Sequence, residues 1–179
     1  KVSSNWRGRQ KTVAALTGSL SLTALEEILF GNTSVFIDAA GGTIGSTQKA
    51  GVLLEASVTV NTGIMPVFTA DGALTFTAHK ITPPSLDFTL TMELEDDGGG
   101  GVVAAERVFL RSQVHRLIRL SATGTGSKAM AISLAGKYTA VGGYQNSNGN
   151  TTVQLSGSAS YLTPLFFSFV ITNALATLP

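Results

Sequence analysis

Apolar and polar residues alternate with a period of two along much of this chain. Leu54, Ala56, Val58 and Val60 alternate with Glu55, Ser57 and Thr59. Leu86, Phe88, Leu90, Met92 and Leu94 alternate with Asp87, Thr89, Thr91 and Glu93. Val153, Leu155, Gly157, Ala159 and Tyr161 alternate with Thr152, Gln154, Ser156, Ser158 and Ser160. Successive side chains of a strand point to opposite faces, so each run predicts a half-buried strand. Met130, Ile132 and Leu134 against Ala129, Ala131 and Ser133 predict another, and residues 116–122 a further one. Residues 65–69 and 73–80 flank Asp71-Gly72, a hairpin dipeptide. The run Leu165-Phe166-Phe167-Ser168-Phe169-Val170-Ile171 is apolar on both faces and predicts a strand covered on both sides.

Two segments follow the helical period instead. Thr23-Ala24-Leu25-Glu26 is a capping box, in which the Thr23 hydroxyl accepts from the Glu26 amide and Glu26 reaches back. It predicts a short helix with Leu25, Ile28 and Leu29 on its apolar side and Gly31 as its stop. Residues 102–114 predict the main helix, with Ala105, Phe109 and Leu110 inward and Arg107 and Arg111 one turn apart on one face. A first strand ends at residues 19–22. Residues 32–51 form a long Gly-, Ser- and Thr-rich connection around Val35-Phe36-Ile37, read as an extended loop or ribbon that reaches outside the domain. Residues 1–18 read as a basic arm carrying Arg7, Arg9 and Lys11, followed by a single domain over 19–179. The order of elements predicts a mainly β fold, a sandwich or curled sheet flanked by one helix.

Composition shifts the picture towards assembly. Only 13% of the 179 residues are charged, about half of the typical ~25%. The outer positions of the last strands carry Ser, Thr and Gln where a solitary protein keeps charges, and no acid or base follows Lys137. A net charge of +1 gives no global attraction to nucleic acid or anionic lipid, and the absence of Cys excludes disulfides and thiolate metal sites. The most apolar stretch, 162–176, falls short of the ~20 residues that a spanning helix needs, so membrane insertion is not expected.

Candidate chemistry is sparse. His79 and His115 are the only histidines and lie on separate predicted strands. Gly124-Thr125-Gly126-Ser127-Lys128 lacks the glycine spacing of a phosphate loop, and a strand follows where a helix should be. Glu95, Asp96 and Asp97 lack the spacing of calcium ligands and read as a partner-facing or solvated run. No catalytic residue, metal or cofactor is expected, and specific DNA binding is not indicated.

The segments Ile64-Met65-Pro66-Val67-Phe68-Thr69-Ala70-Asp71-Gly72 and Pro84-Ser85-Leu86-Asp87-Phe88-Thr89-Leu90 resemble the middle of major tail tube proteins of long-tailed, siphovirus-like bacteriophages. The closing half resembles them further, in Arg116-Leu117-Ile118-Arg119-Leu120, Ala131-Ile132-Ser133-Leu134-Ala135-Gly136-Lys137-Tyr138, Val170-Ile171-Thr172-Asn173 and Leu175-Ala176-Thr177-Leu178-Pro179. The resemblance implies a structural virion protein whose copies form six-membered rings around a β-barrel channel. Rings would stack into a tail tube that conducts DNA during ejection, with a long loop touching the next ring. Tape measure, terminator and distal tail proteins would be its other partners, and assembly would take place in the host cytoplasm. A lumen that moves DNA must not grip phosphate, so Glu55, Asp71, Asp87 and Glu93 are candidate lining residues. Arg7, Arg9 and Lys11 would pair with Glu95, Asp96 and Asp97 of a neighbour, and Val35, Phe36 and Ile37 are further candidate contacts. The alternatives are a terminator or distal ring, a secretion-system tube subunit, a glycan-binding sandwich module and, last, an enzyme.

Overall fold

The computed structural model describes residues 28–68, 70, 78–94, 101–124, 126 and 128–173. A 3-10 turn, Phe30–Asn32, leads into β1 (Thr33–Ala39), β2 (Gln48–Lys49), β3 (Leu53–Asn61) and β4 (Ile64–Val67). Then come β5 (Ala78–Ile81), β6 (Ser85–Glu93), helix α1 (Gly101–Ser112), β7 (Arg116–Thr123) and β8 (Ala129–Val141). The chain closes with β9 (Gln145–Ser147), β10 (Asn150–Ala159) and β11 (Phe167–Thr172). The protein is mainly β with one α-helix, as its alternation predicts.

The chain forms two compact units. The described part of the smaller is the antiparallel pair β4–β5, in register from Ile64 opposite Ile81 to Val67 opposite Ala78. Asp71-Gly72 lies outside the described residues. Gly63, with φ +70°, opens this pair, and its carbonyl accepts from both the amide and the hydroxyl of Thr82. A Cβ at Gly63 would run into the Thr82 backbone, so only glycine fits.

The larger unit is one sheet in the order β2-β1-β7-β8-β10-β6-β3, with β11 added to β8 and β9 to β10. Its hub is β8. Leu134 faces Ile118 of β7 on one side and Phe167 of β11 on the other, so β7 and β11 occupy opposite edges. Beyond Gly136 the edge that held β11 passes to β10. Ala135 marks the exchange: its amide donates to Phe166 and its carbonyl accepts from Ser160.

Side chains from both ends of this sheet meet in one core. Val35 and Ile37 of β1 pack in the same cluster as Leu86, Phe88, Leu90 and Met92 of β6, with Leu134, Tyr138, Val153 and Leu155 between them. Strands so far apart in the sheet share a core only if the sheet curls back on itself. Helix α1 contributes Val103 to the cluster. The alternation of β6 and β10 sets this core directly, since each apolar member of both runs from Leu86 to Met92 and from Val153 to Gly157 is buried.

Phe88 packs against two glycines. It stands opposite Gly157, where the β10–β8 register shifts, and its ring also approaches Gly136. A Cβ at Gly157 would lie 2.5 Å from the Lys137 carbonyl oxygen and 2.7 Å from Phe88 Cε1. Backbone cannot yield there as a long side chain would. Gly157→Ala is therefore expected to destabilise by about 1–3 kcal/mol or more. A urea midpoint equal to that of the wild type would contradict this packing.

Several expectations are corrected. The segment 32–51 is not one outward loop, because Thr33–Ala39 pairs along its whole length with β7. Val35 and Ile37, expected at a contact between copies, are each 1% exposed in the core, while Phe36 points to the opposite face across from Arg119. Three apolar residues among Gly, Ser and Thr are too short a run to reveal a strand whose partners, from Leu120 opposite Val35 to Ile118 opposite Ile37, lie far along the chain. Leu29 is extended, and Gly31 lies within the 3-10 turn instead of stopping an α-helix; Thr23–Glu26 and the strand at 19–22 lie outside the described residues. Ala105 is exposed, and the fully buried residues of α1 are Val103 and Glu106. The strand expected to be covered on both sides, β11, is largely exposed. Gly124-Gly126 belongs to the β7–β8 turn, closed by the Gly124 amide on the Lys128 carbonyl.

Candidate assembly surfaces

Strand β11 places Phe167, Phe169 and Ile171 opposite Leu134, Ile132 and Met130 of β8, and Val170 on its other face. Phe169 is 49% exposed, Val170 51% and Ile171 60%. The strand carries no charge and no proline, and among the described residues only β8 pairs with it. Such an edge is a template for another chain unless something covers it. The β4–β5 pair is similar within its own unit, with Ile64, Met65, Val67 and Ile81 all exposed. A two-stranded hairpin is marginal in water by itself, so this one also calls for cover.

The second surface is polar. Ala56 and Val58 of β3 pack against the core, so Glu55, Ser57 and Thr59 point away from it. On the adjacent β6, Asp87, Thr89, Thr91 and Glu93 point away likewise, and on β10 they lie across from Ser158, Ser156, Gln154 and Thr152. Three expected lining residues, Glu55, Asp87 and Glu93, thus share the non-core face of neighbouring strands. Lys137, across from Ser158 on β8, adds a base at its margin. Asp71, Arg7, Arg9, Lys11, Glu95, Asp96 and Asp97 lie outside the described residues.

Beneath these surfaces, a buried charged group that sequence reasoning missed fixes α1. Glu106 accepts two bonds from Arg116, Nε to Oε2 at 2.9 Å and Nη2 to Oε1 at 2.7 Å. The Tyr138 hydroxyl donates to Oε2 at 3.0 Å, and the guanidinium lies 4.0 Å from the Phe109 ring centroid. Burial, and next the Glu106 carboxylate, push the Tyr138 hydroxyl above the ordinary tyrosine range. The signal was present: Glu106 occupies the stripe Val103, Glu106, Leu110, where an unpaired carboxylate is not tolerated. On the outer side of the helix, Arg107 donates to the Tyr144 hydroxyl at 2.9 Å and stacks 4.9 Å from that ring's centroid.

Asp38 holds the loop between β1 and β2. Its Oδ2 accepts from the amides of Gly45, at 2.7 Å, and Ser46, at 3.2 Å, and its Oδ1 from that of Thr47, at 2.7 Å. An Asp ending a strand before Gly, Thr and Ser is the sequence signal for such a cap. Burial raises its pKa, but the bonds from Thr47, Gly45 and Ser46 outweigh burial and hold it below the usual 3.8. The folded form therefore gains stability above that value and loses it as pH falls through the lowered one. Asp38→Asn is expected to cost about 1–3 kcal/mol at neutral pH and to flatten the acid-side loss. Urea unfolding between about pH 2 and pH 7 measures both, and parallel curves for variant and wild type would contradict the cap.

The histidines do not form a pair of ligands within one unit. His115 Nε2 lies 2.9 Å from Ser160 Oγ in the larger unit, and burial together with the charge of Lys137 lowers its pKa. His79 belongs to β5 in the smaller unit. Among the described residues no three His, Cys, Asp or Glu side chains converge to hold a metal ion.

No protein-family model matches the sequence, and no curated protein matches it. Solved structures do share the fold. A chain of the anti-feeding prophage cap, a tube-terminating cap, superposes with a TM-score of 0.58 at 15% identity, covering 85% of this chain and 96% of that one. The SPP1 tail tube superposes with a TM-score of 0.55 at 11% identity, covering 86% of this chain and 83% of that one. At such identities the likeness establishes a shared fold and nothing finer.

Proposed function

We propose that this chain is a structural subunit of a phage-type tail, a tube protein whose copies close into rings of six and stack into a conduit for DNA. The observation that carries the reading is β11, an uncharged strand exposed on both faces, in a fold shared with a tail tube and a tube cap. A second copy supplies the cover that the described residues of this chain do not. The face bearing Glu55, Asp87 and Glu93 lines the channel, where carboxylates and hydroxyls leave phosphate unbound and DNA slides without counterion release. The β4–β5 hairpin, in place of the segment 32–51, reaches the adjacent ring. Tape measure, terminator and distal tail proteins cap and fill the tube, and the protein resides in the virion tail after assembly in the host cytoplasm. The role is passive and needs no catalytic residue.

The likeness to a tube-terminating cap favours a second reading, a single ring that closes a tube. Electron microscopy of the purified protein, alongside size-exclusion chromatography, separates the two. Long hollow filaments support the tube subunit, and isolated rings the cap. A monodisperse monomer at high concentration would overturn both.

A further inference from the structure

We infer that the Arg107–Arg111 face of α1 is the seat for the acidic run Glu95-Asp96-Asp97 of a second copy; this rests on the assembly reading above. The seat is a cleft of about 190 Å³ lined by Arg107, Leu110, Arg111 and Val141. Two guanidiniums four residues apart on a helix present forks about 5–6 Å apart at their bases, a spacing that suits two neighbouring carboxylates. Arg107 is already oriented by the Tyr144 hydroxyl and ring, which lowers the ordering cost of binding. Leu110 and Val141 give the cleft an apolar floor on which salt and water compete less.

Charge complementarity selects the occupant. The only acid of α1 is Glu106, which is buried and engaged by Arg116 and Tyr138, so the helix offers these arginines no carboxylate of its own. Residues 95–97 are the only three consecutive acids in the sequence. In the ring of the assembly reading, one acidic run and one arginine pair per copy meet head to tail, so that each copy gives its run to one neighbour and receives another's. Such a contact propagates round a ring. It also gives the acidic run a different partner from the basic arm expected from sequence.

Two charge-reversed proteins test this. One carries Arg107→Glu and Arg111→Glu; the other carries Glu95→Lys, Asp96→Lys and Asp97→Lys. Each alone sets like charges together and is expected to raise the concentration needed for assembly roughly tenfold or more. In an equimolar mixture every contact between unlike copies is again complementary, so assembly returns to the wild-type level. Unchanged assembly of either variant alone would overturn the inference while leaving the tube reading intact. Impaired variants that fail to rescue each other would also overturn it, since the run would then be seated in its own chain. A wild-type protein that never assembles would overturn this inference and the tube reading together.

Discussion

Glu106→Ala is expected to destabilise the protein by about 3–5 kcal/mol, because it strands Arg116 as an uncompensated buried charge. Arg116 is buried, donates two bonds to Glu106 and makes no other ion pair among the described residues. The same substitution leaves the buried Tyr138 hydroxyl without its acceptor. The paired substitution Glu106→Leu with Arg116→Leu is expected to recover most of the loss, since apolar replacement of a whole buried ion pair is often neutral or stabilising. Tyr138→Phe, which removes one bond and keeps the edge-on contact with Phe88, is expected to cost about 1 kcal/mol. Urea denaturation of the wild type, Glu106→Ala, Arg116→Ala and the protein carrying both alanines forms a double-mutant cycle. Additive losses from Glu106→Ala and Arg116→Ala would mean that the two side chains do not act as a unit.

Charging β11 is expected to separate folding from assembly. Phe169→Glu and Ile171→Glu alter side chains that are exposed in the single chain, so monomer stability should move by no more than about 0.5 kcal/mol for each. At a contact between copies the same changes forfeit about 1.5–3 kcal/mol of burial per side chain and bury a charge besides. The double variant is expected to remain a folded monomer at concentrations where the wild type is fully assembled. Sedimentation velocity reads the mass and circular dichroism the fold. A double variant that still forms wild-type filaments would remove β11 from the interface.

Much of the core was legible because a period of two leaves little freedom. In β6 the sequence alternation and the burial alternation coincide, and in β10 they coincide from Val153 to Gly157. What escaped reading depended on contacts distant in sequence. Nothing near Val35-Phe36-Ile37 announces its partner, yet it joins β7 along seven residue pairs, from Thr33 opposite Ala122 to Ala39 opposite Arg116. Glu106 escaped because a charge on a helix is read outward by default, and only Arg116 and Tyr138 explain its burial. For β11 the pattern and the single chain disagree. A run apolar on both faces asks for cover on both, and among the described residues β11 has only β8 along one edge. The polar face was half legible: parity placed Asp87 and Glu93 together on β6, while the adjacency of β3, which adds Glu55, comes from strand order.

The central claim is a hollow assembly with that polar face inward, and thiol accessibility tests it most directly. The chain has no cysteine, so Ser57→Cys, on the non-core face of β3, supplies a single label at an exposed position. A bulky maleimide polymer is the probe, with Ser112→Cys at the exposed end of α1 as the reference. The tube account predicts that the thiol at position 57 reacts in dissociated protein and is protected in assembled filaments, while a small maleimide reaches it in both. Equal labelling by the polymer before and after assembly would place this face outside, and the account would fail.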